Sequence, residues 1–249
     1  MAQSGFEYER NATRFLQKLD IVPKGFTPAG NAHDRPDLMI KKPDQQDGAS
    51  KGAELKLSPS ASAGSHVFHY DLEKKIFFMP TDDKSEEKQF IRSIAHKTNV
   101  LDEINKKWKK RPAKFSEAGK YASSKVKYKY DYAHFPDIRG DIPSRGIEQY
   151  YQAKNTFYLN FGTHGLFLLG TSDPLHLNRA NPRVPEFSRN VKSGYRARVQ
   201  YKGHDNYQFV FEFTMHQVHP SPYNIAPTVS KTSPVIDKSK VSIDCFLET

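Results

Sequence analysis

The spacing of hydrophobic residues along the chain predicts three helices. Apolar residues recur three and four positions apart within residues 5–19, which is the period of an amphipathic helix. The apolar face of this helix consists of Tyr8, Ala12, Phe15, Leu16 and Leu19. The same period continues through residues 85–110 and predicts one long helix, which Pro112 would end. A shorter helix is expected around residues 147–153.

Short apolar runs and alternating side chains predict strands in the rest of the chain. Residues 37–40 form an apolar run, and residues 53–57 alternate between apolar and charged side chains. Weaker strand patterns cover residues 66–70 and 75–79. Two apolar runs that flank Gly162-Thr-His-Gly165 predict a β-hairpin with a four-residue turn. The further strands that the pattern predicts cover residues 195–201, 207–218 and 241–247.

Composition and charge restrict the class of protein. The 249 residues are 37% hydrophobic and 12% aromatic, which is enough to form a core. A formal net charge of +10 favours a polyanionic partner such as nucleic acid. The single cysteine, Cys245, excludes an internal disulfide and a Cys-based zinc site. With neither a signal-peptide pattern nor an apolar run of about 20 residues, we expect a cytoplasmic protein without a membrane partner.

Charged residues near the N-terminus follow a known nuclease signature. Asp37 follows Arg35-Pro, and after 16 intervening residues the chain reads Glu54-Leu-Lys56. This pattern resembles the PD-(D/E)xK signature of restriction-type nucleases. The resemblance covers about residues 5–70.

This resemblance implies a fold and a domain organisation. The implied fold class is α/β, with a restriction-endonuclease-like mixed β-sheet core flanked by helices and a β-rich C-terminal extension. The nuclease core is expected over residues 1–112, and a basic, β-rich region that completes the core and binds DNA over residues 113–249. One continuous domain is the alternative.

The chemistry of phosphodiester hydrolysis fits the side chains of this segment. Such hydrolysis needs charge neutralisation at the phosphate and an activated water. Asp37 and Glu54 can supply oxygen ligands to Mg²⁺, for which Mn²⁺ would substitute, and the resemblance adds the backbone carbonyl of Leu55. Since Glu54 and Lys56 are two residues apart on a predicted strand, they project from the same face. Lys56 would then orient the attacking water or stabilise developing negative charge.

Glu9 is a further candidate for the catalytic centre. The resemblance places an acidic residue on the leading helix, and Glu9 precedes apolar residues at +3 and +7. Glu7 competes with it but lacks this spacing, and Glu9 can also be read as an ordinary charge beside the apolar face. Asp34 is an alternative to Asp37, although it precedes Pro36 and lies outside the predicted strand.

Basic residues outside the centre are candidates for DNA contact. In similar nucleases the region after the signature contributes a polar residue near the scissile phosphate, and His66 could do so or could be a buried ring. His69 would lie on the opposite face of the same strand. The other candidates are Lys106, Lys107, Lys109, Lys110, Arg111, Lys125, Lys127, Lys129, Arg196 and Arg198. The alternatives are that the lysines at the helix end only complement the helix dipole and that the arginines are simply solvated.

Together these features predict a Mg²⁺-dependent endonuclease that cuts double-stranded DNA, of restriction or phage type. Two alternatives stay open, a structure-specific or end-processing DNA nuclease and a non-catalytic nucleic-acid-binding protein. The region after residue 112 would add DNA-binding surface or a contact within a homodimer. The pattern of residues does not specify a recognition sequence or a preference for DNA over RNA.

Overall fold

The protein has a mixed α/β fold, seen in a computed structural model. The structure describes residues 2–28, 36–41, 51–71, 73–82, 85–110, 133, 135–177, 183–203 and 206–243. The chain divides into two compact units. Unit 1 comprises Met1–Ala61, Pro143–Ser193 and Met215–Thr249, and unit 2 comprises Ser62–Ile142 and Gly194–Thr214. Both units contain segments from either side of residue 112, so the predicted boundary there coincides with the edge of neither unit.

Besides a short 3₁₀-helix at Lys238–Lys240, the described residues contain five α-helices. They are α1 (Ala2–Lys18), α2 (Glu86–Lys97), α3 (Val100–Lys109), α4 (Ser144–Gln152) and α5 (Phe187–Asn190). The prediction of one long helix over residues 85–110 is wrong, because the helix is interrupted at Thr98 and Asn99, which separate α2 from α3. Asn99 has a left-handed backbone with φ of 54°, which an α-helix does not accommodate. Across the described ranges, no helix has the length and apolar character needed to cross a membrane.

Nine strands form two sheets within the described residues. The strands are β1 (Leu38–Ile40), β2 (Lys51–Lys56), β3 (Gly64–Asp71), β4 (Ile76–Phe78), β5 (Ile138–Ile142), β6 (Thr156–Phe161), β7 (Gly165–Leu168), β8 (Lys192–Gly203) and β9 (Asn206–His216). One sheet has the order β1-β2-β6-β7 and the other the order β4-β3-β9-β8-β5. The expected strand over residues 241–247 is wrong for 241–243, which are not in a strand, and 244–247 lie outside the described residues.

The four-stranded sheet of unit 1 is mixed. β2 runs antiparallel to β1 and parallel to β6, and β6 and β7 form the predicted hairpin. Phe161 pairs with Gly165 across the hairpin turn, where Gly165 has φ of 92°, a conformation that glycine adopts without strain. The parallel pairing of β2 and β6 joins residues about a hundred positions apart in the sequence. The sheet therefore brings the signature segment next to the second half of the chain.

Helix α1 packs its apolar face into the core of unit 1. Tyr8, Ala12 and Leu16 are fully buried in a cluster that includes strand residues such as Leu55. Burial of a large apolar side chain contributes about 1.5–3 kcal/mol. Leu19, predicted for the same face, is 39% exposed, because α1 ends at Lys18.

A buried hydrogen-bond network fixes the first turns of α1 on the sheet. The Tyr8 hydroxyl donates to the carbonyl of Ala226 at 3.0 Å and accepts from Nδ2 of Asn160 at 3.1 Å. Asn160 lies on β6, and its Oδ1 accepts from the Ile225 amide at 3.2 Å. Since buried polar groups are costly when they lack partners, this network specifies where α1 sits. It thereby also fixes Glu9, the next residue of the helix.

Unit 2 has an aromatic core beneath its five-stranded sheet. Phe77, Trp108, Phe135 and Phe209 pack with ring centroids 4.5–5.9 Å apart. The strand patterns over residues 66–70, 75–79, 195–201 and 207–218 all fall largely within strands of this sheet and are confirmed in outline.

Candidate active site

The β1–β2 pair brings Asp37 and Glu54 together in unit 1. The antiparallel register pairs Leu38 with Ala53, so the residues just beyond that pair, Asp37 and Glu54, are neighbours. Oδ2 of Asp37 accepts a hydrogen bond from the backbone amide of Leu55 at 3.0 Å. Asp37 is only 7% exposed and Glu54 only 4%. Two carboxylates thus share one nearly buried site.

Lys56 lies between these two carboxylates. Its Nζ is 2.6 Å from Oε1 of Glu54 and 4.0 Å from Oδ2 of Asp37. Burial alone would lower the pKa of Lys56, but the negative charges of Glu54 and Asp37 outweigh it and raise that pKa. The lysine is therefore held as a cation in a site where it is 15% exposed.

Glu9 of α1 belongs to the same electrostatic cluster. Burial raises the pKa of Glu9 to about 8, and the negative charges of Asp37 and Glu54 add to this while Lys56 opposes it. Glu7 points into solvent instead. Of the two acidic residues weighed from the sequence, the helix therefore presents Glu9 to the other carboxylates.

Asp37 titrates abnormally for similar reasons. Burial raises its pKa to about 7, and the negative charge of Glu54 adds to this, against the lowering effects of Lys56, the Leu55 amide and Lys154. The cluster thus holds more negative charge than its cations neutralise. Such an excess favours either proton uptake or the binding of a cation.

The donor set fits a divalent cation with a preference for oxygen ligands. Oε2 of Glu9 and Oε2 of Glu54 are buried and accept no hydrogen bond from any described residue. Carboxylate oxygens of this kind are the ligands that Mg²⁺ prefers. No set of three or more His, Cys, Asp or Glu side chains in the described ranges is already arranged as a metal cage. The site is therefore an acidic cluster closed by Lys56 and not a preformed cage.

Lys154 is a residue near the site that the sequence pattern did not reveal. It lies in the turn between α4 and β6, is 9% exposed, and its positive charge lowers the pKa of Asp37. No spacing rule connects it to the signature, because only the parallel pairing of β6 with β2 brings the two segments together. A lysine three residues before a predicted strand carries no such signal by itself.

The structure places both histidines and the four lysines of the α3 end in unit 2. His66 is buried on β3, whereas His69 is exposed, so the two point to opposite faces as expected. Lys106, Lys107, Lys109 and Lys110 are exposed at the C-terminal end of α3. Lys107 forms an ion pair with Glu103 at 2.7 Å.

The two arginine candidates on β8 are engaged in a charge network within unit 2. Nε of Arg196 is 2.5 Å from Oε1 of Glu212, and Nε of Arg198 is 3.7 Å from Oε2 of the same residue. Asp137 lies 3.7 Å from Arg196 and 3.1 Å from Arg139. The arginines are therefore not simply solvated.

The candidates Arg111, Lys125, Lys127 and Lys129, and the alternative ligand Asp34, lie outside the described residues.

Comparison with known proteins finds no match for this chain among family models, curated proteins or solved structures.

Proposed function

We propose that this protein is a Mg²⁺-dependent endonuclease that hydrolyses phosphodiester bonds in double-stranded DNA. The observation that carries the proposal is the contact of Lys56 with Glu54 and Asp37 at one buried site, beside carboxylate oxygens that lack hydrogen bonds. This grouping of residues is the one that the PD-(D/E)xK resemblance implies. The net charge of +10 supports a polyanionic substrate.

In this proposal the carboxylates hold the cation. Asp37 and Glu54 would be the principal ligands, the Leu55 carbonyl would be a further one, and Glu9 would complete the set. When bound, the cation supplies charge neutralisation at the scissile phosphate and Lewis acidity toward the attacking water. Because the pKa values of Glu9 and Asp37 are raised, these carboxyls hold protons near neutral pH that they would release on binding a cation.

Lys56 acts as a charged donor in this proposal and not as a base. Its neighbours raise its pKa, so it keeps its proton at neutral pH. A lysine in this state donates hydrogen bonds, which orient the attacking water and stabilise the negative charge that develops at the phosphate. The ion pair with Glu54 holds the ammonium group at the site before substrate arrives.

The test is cleavage of supercoiled plasmid, linear duplex and a four-way junction in Mg²⁺, with EDTA as the control. We expect wild-type protein to cut in Mg²⁺ only, and Glu54→Gln and Lys56→Met each to reduce the rate by at least about a hundredfold. Lys51→Met, on the same strand, is the matched control and should cut normally. Discrete ends from linear duplex indicate sequence-specific cutting, whereas preference for the junction indicates a structure-specific nuclease.

Two outcomes would contradict the proposal. Cleavage that survives within twofold in both Glu54→Gln and Lys56→Met would show that the site is assigned wrongly. Binding of DNA without cutting of any substrate in Mg²⁺ or Mn²⁺ would indicate a non-catalytic nucleic-acid-binding protein.

A further inference from the structure

Lys154 is a nearly buried lysine that forms no ion pair with a described carboxylate, although its charge acts on Asp37. The residue is 9% exposed, and it follows the end of α4 in the turn before β6. Its Nζ lies 5.3 Å from the ring centre of Tyr150 and 5.7 Å from that of Tyr151. Within the described ranges, no carboxylate forms an ion pair with Lys154.

Removing an ammonium group from water is costly unless a counter-charge replaces the lost hydration. Two tyrosine rings offset part of this cost through cation–π attraction, and they also restrict the direction of the side chain. A lysine that the fold keeps nearly buried, aligned by aromatic rings and without a paired anion is suited to receive an anion from outside.

The backbone next to Lys154 is joined to the signature segment. Thr156 of β6 pairs with Gly52 of β2, and the Asn155 carbonyl packs directly against Gly52. Pro36, the residue before Asp37, packs against the same glycine. The turn that carries Lys154 therefore lies at the part of the sheet where the chain enters the acidic cluster.

Lys154 forms none of the ion pairs of the acidic cluster and can therefore contact an anion. Lys56 makes the ion pairs with Glu54 and Asp37, whereas Lys154 acts on Asp37 only through its field, which lowers the pKa of that carboxyl. A phosphate that approaches three carboxylates is repelled by them until positive charge is placed beside it. Lys154 supplies such a charge close to the cluster.

We propose that Lys154 contacts a backbone phosphate of the DNA substrate beside the Asp37–Glu54–Lys56 centre, with Tyr150 and Tyr151 aligning its side chain. This inference rests on the proposed function, because it takes the acidic cluster as the place where the phosphodiester is cut. The competing role is that of a positioning residue, which acts only through Asp37 and never touches DNA.

The test measures binding of a short fluorescein-labelled DNA duplex by anisotropy, in Ca²⁺ and over a series of salt concentrations. Lys154→Met keeps the length of the side chain and removes the charge, and Lys154→Arg keeps the charge. For Lys154→Met we expect roughly tenfold weaker binding at low salt. The slope of log affinity against log salt should fall in magnitude by about 0.9, which corresponds to one phosphate contact. Lys154→Arg should keep most of the slope, and Lys238→Met, which removes an exposed lysine, is the matched control.

The melting temperature of Lys154→Met distinguishes the loss of a DNA contact from a loss of folding stability. Lys154→Met relieves the cost of burying the charge but loses its attraction to Asp37 and to the two rings, so we expect it to melt within a few degrees of the wild type. Wild-type affinity and slope in Lys154→Met would overturn the proposal. So would a fall of more than about 5 °C in melting temperature that accompanies the loss of binding, or weaker binding with an unchanged salt slope.

The experiments distinguish a wrong nuclease function from a wrong assignment of the Lys154 contact. If wild-type protein binds the duplex with a slope that depends on Lys154 but cuts no substrate in Mg²⁺, the nuclease activity is wrong and the phosphate contact stands. If wild-type protein cuts DNA and Lys154→Met retains both its affinity and its salt slope, the nuclease stands and the contact is wrong.

Discussion

At the scale of single residues, the centre holds three carboxylates, and among the described residues Lys56 is the cation that forms ion pairs with Asp37 and Glu54. The three carboxylates differ in the hydrogen bonds that the protein gives them. Asp37 accepts the amide of Leu55, Glu54 accepts from Lys56, and Oε2 of Glu9 accepts nothing from the described chain. Glu9 and Glu54 thus each keep one buried oxygen that can accept a proton or a cation.

The raised pKa values of Glu9 (about 8) and Asp37 (about 7) predict that the metal-free protein loses stability as the pH rises. In an unfolded chain both groups titrate near pH 4, so between about pH 4 and 8 the folded state holds more protons. The stabilisation is complete below about pH 4 and is lost as the pH passes through 7 and 8. In EDTA, we expect Glu9→Gln to melt a few degrees above wild type at about pH 9 and close to it at about pH 5.

The control for this prediction is Glu7→Gln on the exposed side of the same helix. It should follow the pH dependence of wild type throughout. Mg²⁺ should raise the melting temperature of wild type more than that of Glu9→Gln, because the glutamine lacks the charge that the cation neutralises. An identical pH dependence in wild type and Glu9→Gln would show that Glu9 titrates normally.

The hydroxyl of Tyr8 gives a second prediction at this scale. Tyr8→Phe leaves the Ala226 carbonyl and the Asn160 amide without their buried partner, which costs about 1–3 kcal/mol of unfolding free energy. Urea denaturation measures this loss. Tyr195→Phe is the matched control, because its hydroxyl makes no hydrogen bond to a described residue, and it should be nearly neutral. Equal effects of the two substitutions would mean that the network does not hold α1.

The sequence predicts the site residues whose spacing along a strand determines which face their side chains project from. Glu54 and Lys56 are two positions apart on a strand, and Asp37 begins the adjacent strand, so their proximity follows from local pattern alone. Lys154 has no such local signal. Its place beside the site depends on the pairing of β2 with β6, which is a long-range property of the sheet.

At the scale of elements, hydrophobic periodicity predicts helices better than it predicts where they break. The apolar period is continuous through residues 85–110, yet the chain forms α2 and α3 because Thr98 and Asn99 interrupt the backbone. The Thr98 hydroxyl donates to the carbonyls of Ile94 and Ala95 at 2.9 Å and 3.1 Å and so helps to end α2. Neither residue breaks the apolar pattern, so periodicity alone cannot show the break. The β6–β7 hairpin was predictable because its turn contains two glycines.

Gly52 joins three elements and gives a prediction at the element scale. Any Cβ at this position would collide with the Asn155 carbonyl and with Pro36, so Gly52→Ala must displace backbone at the junction of β1, β2 and β6. We expect a loss of about 1–3 kcal/mol in urea denaturation and a reduced cleavage rate, since the same junction positions Asp37 and Glu54. Gly25→Ala, where a Cβ meets no atom within 4 Å, is the control and should leave both unchanged. Normal stability in Gly52→Ala would show that the junction tolerates the shift.

At the scale of the whole molecule, the order of segments along the chain does not match the compact units. The chain completes the first part of unit 1 at Ala61, forms most of unit 2, and returns to unit 1 at Pro143. The sequence suggests a simple division near Pro112 instead, because the helical pattern ends there and a basic, β-rich region follows. The sequence specifies the net charge of the whole molecule, +10. It does not show which surface uses that charge to bind a partner.

The position of the positive charge can be tested at the end of α3. Lys106, Lys109 and Lys110 are exposed there, and replacing all three by glutamine lowers the net charge to the same value as the control triple substitution of Lys18, Lys231 and Lys238. If the α3 lysines contact phosphates, the slope of log affinity against log salt for a DNA duplex should fall in magnitude by up to about 2.7, since each contact contributes about 0.9. The control triple should change the slope little. If the two triple variants weaken binding equally, the affinity depends on net charge and not on this surface. If the α3 variant only melts at a lower temperature, the lysines serve the dipole of α3.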